Sequence, residues 1–136
     1  MLILFLDDQT ERHELAEKYL SKANHKTLHA FSAIEGLELI RNCQTRIGLA
    51  LLDHDLFDII EEPENIKLDR NGVWFLAQMF ANIQEDKWPT QYHIHSYNPD
   101  GVKNMLADLR NKDQVCSADP FSGDMLTRLI ARIQPQ

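Results

Sequence analysis

The chain has no long hydrophobic run. Its opening apolar stretch, "LILFL", stops at Leu6, where Asp7 and Asp8 interrupt it. That is too short for the apolar part of a signal peptide or for a membrane span, so the expectation is a strand in a cytoplasmic protein. Cysteine is scarce: Cys43 and Cys116 show neither a pairing pattern nor metal-ligand spacing, which suits a reduced compartment. There is no run of Lys and Arg, and the formal net charge is −7. Indiscriminate phosphate binding, and with it non-specific nucleic-acid binding, is therefore not expected. No internal repeat or low-complexity segment appears, and the only tail is the polar "QPQ" at the end.

What is present is an ordinary globular composition, 43% apolar and 26% charged over 136 residues, enough for one core in one domain spanning 1–136. Leu2 to Leu6 is a short continuous apolar run, as in strands covered on both faces. "ERHELAEKYLSKA" has Leu15, Tyr19 and Ala23 at four-residue spacing and predicts a helix with Thr10 as its N-cap. "KTLHAF" reads as a second strand. Ser32 and Glu35 form a capping-box pair before a helix at "GLELIRNC". "IGLALLD" is a third, buried strand. Residues 54–70 read as a long polar connection containing Pro63, a candidate lid.

"NGVWFLAQMFANI" predicts a third helix with Val73, Leu76, Ala77, Phe80 and Ile83 on one side, Phe75 and Met79 reading as packing. "QYHIH" is a fourth strand, "NPDGVKNMLADLR" a fourth helix, "QVCSA" a weak fifth strand and "GDMLTRLIARI" a closing helix. Trp88 sits at a turn, with no decision between packing and a partner contact. Strand and helix thus alternate five times, which predicts an α/β three-layer sandwich of flavodoxin-like topology with a parallel sheet of order 2-1-3-4-5. Such sheets bind ligands outside the carboxyl ends of their strands, at the switch point between the first and third.

The polar residues collect at those ends. The first strand ends in Asp7 and Asp8, the third in Asp53, His54 and Asp55, the fourth in His95, Ser96 and Asn98. Four converging carboxylates repel one another, and without a cation at least one takes a proton at raised pKa. A divalent Mg2+ or Mn2+ held by Asp7, Asp8, Asp53 and Asp55 relieves this, because hard cations favour oxygen ligands. The alternative is that each acid caps a helix or solvates a loop. If the third strand continues, Asp53 and Asp55 share one side and His54 takes the other. His93 and His95 resemble an HxH zinc pair, but no third ligand follows at spacing. His95, at a strand tip, is the better placed for proton transfer. Asn98 and Pro99 start a helix behind the rim. Its free N–H groups, with Ser96 and Asn98, suit a phosphate, although Asp100 in the first turn can satisfy the helix end itself. His13, His25 and His29 show no pattern that assigns them a role.

The acid pair Asp7–Asp8, Asp53 and Ser96 resemble the receiver domain of bacterial response regulators, in which the acids bind Mg2+ and the third-strand Asp accepts a phosphoryl group. Receivers carry a Lys after the fifth strand, whereas this chain has "VCSADPF". That departure, "DHDL" after the third strand and "HSYNPDG" at residues 95–101 resemble a more specific relative, the cyclic-phosphate processing receiver-like family. The resemblance implies processing of a cyclic phosphate on a small nucleotide or an RNA terminus.

The expectation is a metal-dependent phosphoesterase. Asp53, His54 and His95 are its catalytic candidates, the two histidines as acid and base in either order. Ser96 and Asn98 hold phosphate oxygens. A pseudo-receiver that signals by protein contact, and a nucleotide-binding module that does not hydrolyse its ligand, are the alternatives.

Overall fold

The computed structural model describes residues 1–62 and 66–133. Its main sheet is built from β1 (Leu2–Leu6), β2 (Lys26–Ala30), β3 (Leu49–Leu52), β6 (Gln91–Ile94) and β7 (Val115–Ala118). The strands are parallel and ordered β2-β1-β3-β6-β7, the flavodoxin-like order expected. Between them lie helices α1 (Thr10–Lys22), α2 (Ala33–Asn42), α3 (Gly72–Asn82), α4 (Pro99–Asn111) and α5 (Gly123–Ile133).

β1 and β3 are apolar at every position because both faces are covered. Period two divides their side chains. Leu4, Leu6, Ala50, Leu52, Tyr92 and Ile94 enter the core with α2, α3 and α4. Ile3, Phe5, Leu49 and Leu51 enter a second core with Ala16 and Leu20 of α1 and Met125, Leu126 and Leu129 of α5. Leu6 pairs with Leu52 and Leu52 with Ile94, so positions 7, 53 and 95 form the next row across three strands. Backbone bonds continue into that row, from Asp53 N–H to Leu6 O at 3.0 Å and from His95 N–H to Leu52 O at 2.9 Å.

Several expectations need correction. The N-cap of α1 is Gln9, not Thr10; its side chain makes no capping bond, while its N–H reaches Asp7 Oδ1 at 2.8 Å. The segment 54–70 is not a plain loop: β4 (Ile59–Glu62) and β5 (Ile66–Asp69) pair antiparallel as a separate two-stranded sheet. Pro63 lies outside the described residues. The core face of α3 is Phe75, Leu76 and Met79, rotated from the stripe read through Val73, Ala77 and Phe80. Trp88, after a 3-10 turn at Glu85–Lys87, is buried with its Nε1–H on Ile83 O at 2.8 Å, so it serves the core. The Ser32 cap is present, accepting the Glu35 N–H at 3.2 Å.

Candidate functional site

The row that follows the ladder places Asp7, Asp53 and His95 on the α1 side, with one ligand atom of each within 4.8 Å of the others. His95 is 0% exposed and stacks on Phe5, ring centroids 5.0 Å apart. Its Nε2 meets Asp7 Oδ2 at 2.9 Å. From the first turn of α1, Arg12 Nη1 lies 3.1 Å from Asp7 Oδ2 and 3.5 Å from Asp53 Oδ2. The same guanidinium sits 5.5 Å from the Tyr97 ring centre and 5.6 Å from that of Phe121, within cation–π range.

His13 backs this cluster. Its Nε2–H donates to Asp7 O at 2.7 Å, since a carbonyl only accepts. Its Nδ1 lies 2.7 Å from His29 Nδ1, and His29 Nε2 lies 3.2 Å from Glu17 Oε2. Burial lowers the His13 pKa, in keeping with a neutral ring.

The acids divide electrostatically. Burial would raise the Asp7 carboxyl, but the His95 bond and charge, the Gln9 N–H and Arg12 hold it below the ordinary value. Asp8 is raised by desolvation and then by the charges of Asp7 and Asp53. Asp53 is raised by desolvation and by Asp7, against the pull of His95 and Arg12. One cationic side chain therefore does not balance three acids. Asp8 Oδ1 is buried with no hydrogen-bond partner among the described residues. A hard donor set with an orphaned oxygen and residual negative charge fits a small divalent cation such as Mg2+.

The neighbouring positions 54 and 96 project toward α4 and make a second cluster. His54 Nδ1 lies 2.7 Å from Asp55 Oδ1, and Asn98 Nδ2–H donates to the same oxygen at 3.2 Å. Asn98 Oδ1 accepts the Gly101 N–H at 3.0 Å as the N-cap of α4, and Asn98 N–H donates to Ser96 Oγ at 3.0 Å. The His54 ring lies so close to α4 that a Cβ on Gly101 would stand 2.3 Å from His54 Cγ. Only glycine admits the ring there.

Asp7, Asp53 and His95 thus lie together, Asp8 is near enough to feel the charges of Asp7 and Asp53 without being one of that three-residue ligand group, and Asp55 does not join them. β3 ends at Leu52, the alternation lapses, and Asp55 turns outward to His54, its side chain 42% exposed. His93 bonds Ser117 Oγ at 2.8 Å, and desolvation, with Arg132 and His95, lowers its pKa to about 4. Sequence reasoning missed Arg12 and His13. The available signal was their place one turn into a helix that starts directly behind the Asp7–Asp8 tip.

Residues 2–111 match the family described as the cyclic-phosphate processing receiver domain. The chain belongs to that family. Among solved structures, this receiver domain is similar to a CheY-like response regulator receiver domain protein from Methanospirillum hungatei JF-1. The TM-score is 0.66 at 19% identity, over 96% of this chain and 90% of that one. The receiver domain of NtrX from Brucella abortus gives 0.64 at 23%, over 96% and 95%. A response regulator receiver protein from Pseudomonas putida gives 0.65 at 20%, over 96% and 95%. These likenesses establish the receiver fold. No curated protein matches. After β7, the region where receivers carry Lys holds Asp119, bonded to Arg128 at 2.5 Å; the cation beside Asp53 is Arg12 instead.

Proposed function

We propose that this receiver domain hydrolyses a cyclic phosphate ester. The observation that carries the reading is the His54–Asp55 pair, fixed by Asn98 and Gly101 beside the acid rim. Asp55 accepts from Nδ1–H, which leaves Nε2 as the basic nitrogen. His54 takes a proton from water as its oxygen attacks phosphorus. One ring P–O bond breaks, and the proton passes to the departing oxygen, giving a monoester and a free hydroxyl. Ser96 O–H and the remaining N–H groups of Arg12 steady the non-bridging oxygens as charge builds. Asp7, Asp8 and Asp53 would hold Mg2+ or Mn2+, which when bound would balance the acids and supply Lewis-acid polarisation of a phosphoryl oxygen. Fully buried His95 hydrogen-bonds Asp7 through Nε2, so it orients that carboxylate and balances its charge.

Phosphorus NMR of a 2′,3′-cyclic nucleoside monophosphate tests this. Mg2+-dependent ring opening is expected, reduced on the order of 100-fold or more in His54→Gln. Ring opening at the wild-type rate in that variant would overturn the role of His54. Mg2+ should also raise the melting temperature of the wild type and not of Asp8→Asn. Binding without product would leave a sequestering module.

A second reading is a phospho-accepting receiver that signals by contact, favoured by Asp53 standing at the β3 tip of a receiver fold. Acid-labile phosphate on Asp53 after exposure to a small phosphodonor would support it.

A further inference from the structure

We propose that the groove between α4 and β7 binds the nucleotides that precede the reacting phosphate, so that the substrate is the end of a short single-stranded RNA and not a free mononucleotide. This rests on the reading of the rim as a phosphoester site. The groove encloses about 470 Å³, within the range of ligand sites, and Ser96 lines it as well as the rim. Its floor is apolar, from Val102 and Leu106 of α4 and Pro120 after β7. At its mouth Tyr97 is 61% exposed although its ring is held in place: its hydroxyl donates to Phe121 O and its face meets Arg12. An aromatic ring kept in the open on a braced mount is a platform for a stacked base.

Charge fixes the kind of occupant. Lys103 and Arg110 stand on the rim of the groove, and neither makes an ion pair among the described residues. The one acid that lines it, Asp119, is taken by Arg128. The groove is therefore locally cationic in a chain of net charge −7. Lys103, Leu106 and Arg110 follow helical spacing along one stripe of α4. At 1.5 Å rise per residue, the two cations lie about 7.5 and 18 Å along the axis from the capping Asn98. A mononucleotide has a single phosphate, and the rim already holds it. Two further cations trailing away from the rim correspond to further phosphates. The acidic remainder of the surface keeps longer nucleic acid from binding elsewhere.

The test is fluorescence anisotropy with a labelled five-nucleotide RNA ending in a 2′,3′-cyclic phosphate, competed by the matching cyclic mononucleotide. The RNA is expected to bind at least tenfold more tightly than the mononucleotide. In Lys103→Ala/Arg110→Ala, two exposed changes, that margin should fall to within twofold while mononucleotide affinity stays unchanged. The slope of log K against log salt should drop by about 1.4, roughly 0.7 for each phosphate no longer neutralised. Equal affinity of RNA and mononucleotide for the wild type would overturn the groove proposal and leave the rim reading intact. So would RNA binding indifferent to the double variant, which would mark the groove as a face for a protein partner. The same RNA with a plain terminal hydroxyl, binding equally well, would instead sink the rim reading. Failure of both ligands to bind would sink both.

Discussion

The two sides of the sheet's carboxyl edge carry different chemistry. On the α1 side, Asp7, Asp53 and His95 are buried and Arg12, partly exposed, pairs with the two acids, the Asp7 carboxylate being fully buried. On the α4 side, His54, Asp55 and Asn98 form a cluster that reaches water through the half-exposed Asp55 carboxylate, and among the described residues no Lys or Arg forms an ion pair with it. Both grow from the same strand tips: side-chain alternation sends positions 7, 53 and 95 to one side and 54 and 96 to the other, and Asp55, past the point where the alternation lapses, joins His54. The lesson is a division of labour: the buried side sets charge and holds the site together, and the open side can exchange protons.

Breaking the buried side should have the largest effect. Asp7→Ala strands His95 in the interior and removes the acceptor for Gln9 and Arg12. A loss of about 3–5 kcal/mol is expected in urea unfolding. A loss under about 1 kcal/mol would show that the pair contributes little. Gly101→Ala comes next. Its methyl group would overlap the His54 ring, so a cost of about 1–3 kcal/mol is expected, together with loss of cyclic-phosphate turnover. Retained turnover would show that the position of His54 is unimportant.

The pH dependence sharpens the contrast further. His93 has its folded pKa near 4, below the usual 6.5, so the unfolded chain takes that proton first. Its effect is a loss of stability as pH falls from 6.5 to about 4. Asp8 and Asp53 act in the opposite sense. Their folded values are raised, so the stability they cost at neutral pH returns as pH falls through those values toward 3.8. Asp7, held below 3.8, keeps its contribution until lower pH. Unfolding of His93→Gln across pH 7 to 4 should therefore show a shallower fall than the wild type, and an unchanged curve would refute the assignment. The smallest stability effect is expected from Asp55→Asn on the open side, within about 0.5 kcal/mol, although turnover should fall.

Much of this was legible in particular residues. The apolar runs ending at Leu6 and Leu52 marked central strands, and the acids behind them marked the rim. Ser32 and Asn98 announced their caps correctly. Thr10 did not, because the first helical bonds, from the Arg12 and His13 N–H groups, run to Gln9 O, which puts Thr10 inside the helix. The pairing of β4 with β5 was missed because each strand is only four residues long: Ile66, Lys67, Leu68 and Asp69 do alternate, but Ile59–Glu62 does not, and so short a signal was read as part of a polar connection. The rotation of α3 was misread because Val73, Phe80 and Phe75 are all apolar, and composition does not say which of two overlapping stripes meets the sheet. Asp55 was assigned to the acid cluster by extending a strand that stops at Leu52.

The sequence by itself determined the five strands of the main sheet, the helices between them, their parallel order and the strand tips that end at positions 7, 53 and 95, because periodicity records which faces must leave water. Only the tertiary structure decided that Arg12 spans Asp7 and Asp53, that His95 is sealed behind Asp7, and that Gly101 makes room for His54. Those outcomes depend on how each helix rotates and how closely it approaches the sheet. Such quantities are set by packing between distant segments, and no local spacing encodes them.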